Sequence, residues 1–266
     1  YLHSEKDGFV KNRGLGVARF GDQKRDAWRA DVLWEPAANL SLRYSYDRSE
    51  IGDTPSYIAP VKFYPTKADR PHAGADTVAG LLPNDVVSQG HSLTAQWEAT
   101  DNLTIRSITA YRKLNNFQNQ DYLSGALRPQ ALQRNQSQTE QDQFSQELQL
   151  VGALFDGSLE YVVGAYYFDE DGSYRATNLP TTGVNTGYTD ATIKNSSKAL
   201  FGQFTWTPAN LERLHLTVGA RYSRDKRAAT LATLTQVGTG PIVGLTKGAG
   251  KRSFSDFSPS FVIAYE

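Results

Sequence analysis

Few side chains in this sequence are placed to do chemistry. The four histidines, His3, His72, His91 and His215, are scattered, and no two have the spacing of a metal-binding pair. Serines are frequent, but no motif holds one beside a base and an orienting group, so no catalytic residue is assigned and no enzyme is expected. Asp169-Glu170-Asp171-Gly172 begins like a calcium loop but lacks the later ligands and the terminal glutamate, and it suits an acidic, solvated rim. Gly14-Leu15-Gly16 lacks the third glycine of a dinucleotide fingerprint and no helix follows it, so it is read as a turn; no cofactor or metal is expected. The segment 51–89 interleaves aromatics with cations: Tyr57, Phe63, Tyr64, Lys67, Arg70 and His72. That chemistry can stack on and hold an external ligand, so Tyr57, Tyr64, Arg70 and His72 are the candidate ligand contacts.

Composition removes several classes. With 28 basic and 28 acidic residues the net charge is zero and nothing calls for a nucleic-acid partner. There is no cysteine, hence no disulfide framework and no thiolate metal site. A mean hydropathy of −0.50 leaves no run near the ~20 apolar residues of a membrane-spanning helix. A membrane strand needs only ~9–11 residues, and alternate ones can be polar. The chain has no methionine, starts at Tyr1 and shows no signal peptide, so it is expected to be a piece of a longer protein.

Period-two alternation is the strongest signal. Leu40, Leu42, Tyr44 and Tyr46 alternate with Ser41, Arg43, Ser45 and Asp47. Trp28, Ala30, Val32 and Trp34 form one face of their segment, and Leu93, Ala95 and Trp97 one face of another. Leu214, Leu216, Val218, Ala220 and Tyr222 repeat the pattern, as do Phe257, Pro259, Phe261, Ile263 and Tyr265. Leu159–Phe168 is apolar on both faces. In Leu103–Arg112 the pattern slips at Ser107 and Thr109, where either a β-bulge resets it or the strand leaves the lipid. Opposite the apolar faces lie Asp31, Glu98 and Glu147 with Arg29, Arg43, Arg106 and Arg221. The preferred reading of these charges is the balanced wall of a wide, wet barrel, and the alternative is contacts to a plug or a substrate path.

A repeat sets the orientation. Trp34, Trp97 and Trp206 are each followed within a few residues by Asn-Leu and a fresh alternating run. The turns near 36–39, 99–102, 154–158 and 208–212 are short, while the connections near 51–89, 117–137, 172–196 and 227–250 are long and polar. Short turns on one side and long loops on the other are the asymmetry of outer-membrane barrels. The three tryptophans are therefore expected to face lipid at the periplasmic interface. About ten strands are expected near 1–12, 27–35, 40–50, 90–98, 103–116, 139–153, 159–171, 197–207, 213–226 and 252–266, an all-β, antiparallel transmembrane barrel segment.

Together, DGFVKN (Asp7–Asn12), the segment from Trp28 through LWEPAANLSLRYSYD (ending at Asp47), SITAYRK (Ser107–Lys113), FSQELQLVG (Phe144–Gly152), YVVGAYYFDED (Tyr161–Asp171) and LTVGARYSRDKR (Leu216–Arg227) resemble the barrel of TonB-dependent outer-membrane receptors. The resemblance implies that residues 1–266 are a middle portion of a 22-stranded barrel, with the plug domain, TonB box and remaining strands absent. It also implies outer-membrane lipid, a plug, the TonB complex and an extracellular small-molecule ligand as partners, and energised uptake of a scarce or bulky solute such as a siderophore-type chelate. The location implied is the outer membrane of a Gram-negative cell. A passive porin or channel is the alternative, and an outer-membrane β-barrel enzyme a weaker one. A ten-stranded piece leaves two unpaired edges, which hydrocarbon does not tolerate, so it is not expected to be stable or functional alone.

Overall fold

The computed structural model describes residues 1–58, 81–121, 134–179 and 185–266. Twelve strands are present: β1 (Leu2–Lys6), β2 (Val10–Lys11), β3 (Arg19–Phe20), β4 (Gln23–Ala37), β5 (Leu40–Ile51), β6 (Asp85–Thr100), β7 (Leu103–Asp121), β8 (Arg134–Leu154), β9 (Leu159–Leu179), β10 (Asn185–Trp206), β11 (Leu214–Val237) and β12 (Ile242–Tyr265). Ten of them form one antiparallel sheet in the order β1-β4-β5-β6-β7-β8-β9-β10-β11-β12, and β2 and β3 pair separately. Each long strand pairs with its sequence neighbours, the up-and-down order that short hairpins impose.

The sheet is a single layer. Among the described residues the buried apolar side chains are few: Phe20, Pro55, Leu81, Ala176 and Ala199. A water-soluble domain of this length would bury a large core, whereas here both faces of the sheet are left open. The two sides of the sheet also end open: β12 is exposed along its whole length, and β4 beyond Ala27 has no β1 partner.

The short turns are laced together. After Trp34 and after Trp97 the register shifts, between Trp34 and Ala37 and between Glu98 and Thr100. The first shift accommodates Pro36, which cannot donate to a ladder. Each turn then bonds the end of a following strand: Asn39 O accepts from Glu98 N (2.8 Å), Asn102 O from Ala153 N (3.2 Å) and Ser158 O from Thr207 N (2.9 Å). Thus two of the three repeated asparagines, Asn39 and Asn102, supply carbonyls that hold neighbouring hairpins at one level, and Ser158 does so in the β8–β9 turn.

Three sequence expectations change. The β7–β8 register runs without a break from Leu103 to Asp121, so no bulge follows Ser107; Ser107 and Thr109 stay on the same face as Ile105. The expected first strand at 1–12 divides into β1 and β2. Two expected long connections, 172–196 and 227–250, are mostly paired strand, because β9–β10 and β11–β12 continue their ladders to Asn178–Gly187 and Gln236–Ile242. Beyond the apolar zone neither face of a strand is consistently apolar, so the alternation that reveals a strand vanishes while backbone pairing persists.

The buried apolar pair Phe20 and Leu81 belongs to a compact knot at the long-loop end. The Asp22 amide donates to Thr54 Oγ1 (2.7 Å), and Leu81 exchanges backbone bonds with Leu15 and Val17 (2.8 and 2.9 Å). Asn119 receives Arg134 Nε at 2.7 Å, and its own amide donates to Asn84 Oδ1 at 2.8 Å. Gly16, expected in a turn, lies at φ +102° where an added Cβ would fall 2.0 Å from the Leu81 carbonyl oxygen, so only glycine permits the approach.

Candidate functional site

The site is the sheet itself, whose two faces are unlike. Partners directly opposite in an antiparallel ladder share a face, so rows can be followed strand to strand. One row reads Trp97, Ile105, Leu150, Val163, Gly202, Ala220 and Pro259. The next reads Leu42, Ala95, Ser107, Leu148, Ala165, Leu200, Tyr222 and Phe257. This face is an apolar band, covering 103–111, 159–167, 214–222 and 257–265, about nine residues per strand and near the ~9–11 that cross a bilayer.

Aromatic residues edge the band at both levels. Trp34 (61% exposed), Trp97 (47%) and Trp206 (49%) mark the short-turn edge, and none is packed into a core. Tyr111, Phe144, Tyr167, Tyr222 and Phe257 mark the other edge. The edges run obliquely to the rows. The Trp97 row meets β10 at Gly202, and Trp206 lies four positions further along after four strand-to-strand steps. The Tyr111 row meets β9 at Asp169, two positions past Tyr167 after two steps. A drift of about one residue (~3.4 Å) per ~4.8 Å strand spacing is a tilt of about 35°, at the low end of the tilt of membrane barrels. At that tilt the band is about 22 Å tall, comparable to the ~25 Å apolar belt of such barrels.

The opposite face is polar. Asp47 and Arg112 form an ion pair at 2.9 Å that reaches across β6, and Gly90 lies beneath it. A Cβ on Gly90 would meet Asp47 Oδ1 at 2.9 Å and Arg112 Nη1 at 3.0 Å, so the glycine leaves room for the bridge. Asp31 accepts from Arg29 (2.8 Å) and Ser45 (2.5 Å), and Arg106 Nη2 donates to Gln96 (3.0 Å). Glu147 accepts from Gln149, while Glu170 accepts from Gln141, Gln143 and Asn195. The Arg221 guanidinium stands over the rings of Tyr166 (5.7 Å) and Phe201 (5.9 Å). Phe201 in turn covers Gly164, where a Cβ would lie 2.4 Å from its ring.

The inward charges read from sequence, Asp31, Glu147, Arg29, Arg43, Arg106 and Arg221, all fall on this face, and Glu98 pairs opposite Thr104 on the same side. Asp47, Arg112 and Glu170 join them. The first two were legible in the alternation; their pairing was not, because it spans 65 residues. The acidic run 169–171 does not converge on an ion: alternation sends Glu170 to the polar face and Asp169 and Asp171 to the other. Among the described residues no group of three potential ligands gathers around a metal position.

Of the candidate ligand contacts, Tyr64, Arg70 and His72 lie outside the described residues. Tyr57 packs edge-on against Phe20 at 5.3 Å, and its hydroxyl is buried without a hydrogen-bond partner among the described residues. Burial pushes its phenol above the usual range.

This geometry agrees with what known proteins show. The chain resembles the ferric yersiniabactin uptake receptor FyuA of Yersinia pestis, with TM-score 0.64 and 15% identity over 97% of this chain and 38% of that one. It resembles the open form of the ferric-catecholate import receptor Fiu of E. coli K12, with TM-score 0.60 and 13% identity over 97% and 46%. It also resembles the siderophore receptor PiuA of Acinetobacter baumannii, with TM-score 0.58 and 14% identity over 98% and 42%. The chain therefore spans less than half the length of these solved receptors. No curated protein matches it by sequence. The family model described as TonB dependent receptor-like, beta-barrel, matches residues 51–266, and the chain belongs to that family.

Proposed function

We propose that residues 1–266 form part of the wall of an outer-membrane receptor that takes up a scarce or bulky solute, such as a siderophore-type chelate, using energy delivered through TonB. The observation that carries the reading is the oblique apolar band on one face of an unbroken ladder, with a charged, hydrogen-bonded face behind it. Acyl chains cover the first face, and a wet lumen holding the plug domain lies against the second. Trp34, Trp97 and Trp206 sit at the periplasmic water–lipid boundary, and the segment containing Tyr57, Tyr64, Arg70 and His72 meets ligand on the outside. Each open edge pairs with further barrel strands, since bare strand edges are not tolerated in hydrocarbon.

The test uses the complete receptor in a Gram-negative cell. Deleting its gene is expected to abolish accumulation of one class of ferric chelate under iron limitation, and deleting TonB is expected to have the same effect. Uptake that persists without TonB would replace this reading with passive diffusion through a pore.

A further inference from the structure

On the apolar face, two consecutive rows across β9, β10 and β11 enclose a groove of about 470 Å³. The lower row is Ala165, Leu200 and Tyr222, and the upper row is Tyr167, Lys198 and Arg224. Ala165 is small, so Leu200 stands beside it 65% exposed. Lys198 Nζ lies 5.6 Å from the centre of the Tyr167 ring. The lower row belongs to the band, and the cations stand at its long-loop edge, level with the aromatic border.

Lys198 and Arg224 are direct cross-strand partners, and like charges in that relation repel. Both are exposed, and among the described residues neither has a carboxylate within ion-pair distance. Lys226 and Lys251 extend the positive field on the same face. Of the two acids nearby, Asp171 is bound by Lys194 at 2.7 Å, which leaves Asp169. The corresponding level on the earlier strands is self-balanced: Arg48 pairs with Glu50 (2.5 Å) and Lys113 with Asp142 (3.9 Å).

We propose that this groove binds a phosphate-bearing, multiply acylated lipid of the external leaflet, of the lipid A class. An acyl chain lies along Ala165, Leu200 and Tyr222, and a phosphate sits between Lys198 and Arg224, relieving their repulsion. The occupant is a lipid because the groove opens on the hydrocarbon-facing side and its apolar part lies directly below the cations; a free anion would leave that part unfilled. The inference rests on the outer-membrane placement proposed above.

The full-length receptor, extracted from outer membranes in detergent, is titrated by native mass spectrometry with bis-phosphorylated lipid A, the same lipid stripped of phosphate, and phosphatidylethanolamine. Wild-type receptor is expected to retain lipid A over the dephosphorylated lipid by roughly tenfold or more, as two interfacial cations can supply. The K198Q/R224Q double variant is expected to lose that preference, K113Q to keep it, and inorganic phosphate not to displace the lipid. Equal retention of the dephosphorylated lipid by wild-type receptor overturns the proposal without reference to any variant. Retention of the preference by K198Q/R224Q, displacement by inorganic phosphate, or a receptor dimer covering the groove overturns it as well. Receptor missing from the outer-membrane fraction overturns the placement, a result distinct from loss of lipid preference in a correctly located protein.

Discussion

Val162 and Val163 are adjacent, chemically identical and on one strand, yet they face different solvents. Val163 is mid-band, in the row with Leu150 and Gly202, whereas Val162 pairs opposite Val151 and Gln203 on the polar face. The difference between the two faces is therefore positional. A strand imposes period two, and the sheet converts that period into one surface for hydrocarbon and another for water. Residue type alone does not decide a position's tolerance, since the polar face also carries Tyr166 and Phe201 and the apolar face carries Ser107 and Thr109.

The largest expected effect breaks this comparison at its centre. In the full-length receptor, Val163→Arg should cost about 2–4 kcal/mol of barrel stability, the penalty for a cation at the bilayer midplane. Val162→Arg should change it by less than about 1 kcal/mol, since its side chain reaches the wet face. Denaturant titration of the refolded receptor measures both, and equal losses would mean the two faces share one environment. Trp206→Ala should cost about 1–2 kcal/mol, because alanine brings far less apolar surface out of water at the boundary than the indole does. The same titration reads it.

On the polar face, Asp47→Asn removes a half-exposed ion pair and should cost at most about 1 kcal/mol, less in high salt. A loss unchanged by salt would show that Arg112 depends on Asp47 for more than charge. The smallest effect has the opposite sign. Phe155 lies at φ +55° in the β8–β9 turn, 76% exposed, a conformation that costs a non-glycine residue about 1–2 kcal/mol. Phe155→Asn should therefore stabilise by about 0.5–1 kcal/mol. Destabilisation instead would mean that the ring anchors in lipid despite its backbone cost.

The same contrast governs what was legible in the sequence. Within the band, alternation named the faces correctly even for Asp31 and Arg221, because hydrocarbon keeps charged residues off every second position. Above the band both sides are wet, so Asn185–Lys194 and Ile242–Gly250 carried no strand signal although both pair with β11, the second with one register shift at Leu245. The knot of Phe20, Leu81 and Asn119 was hidden for another reason: it joins segments far apart in sequence, and no local pattern encodes their meeting. The Arg112–Asp47 bridge over Gly90 was hidden likewise, since a lone glycine in a strand signals close approach without naming the partner.

The central claim is that alternate residues of β9 face lipid and water, and its most direct measurement is a spin-label scan. The chain contains no cysteine, so single cysteines at positions 160–163 and 165–167 report without background from this region. In the full-length receptor reconstituted in bilayers, labels at 161, 163, 165 and 167 should be relaxed preferentially by oxygen dissolved in the hydrocarbon. Labels at 160, 162 and 166 should respond to a water-soluble nickel chelate; Gly164 is left unlabelled because Phe201 fills the space a side chain would need. A smooth profile without period two, or one with the two sets exchanged, would contradict the account.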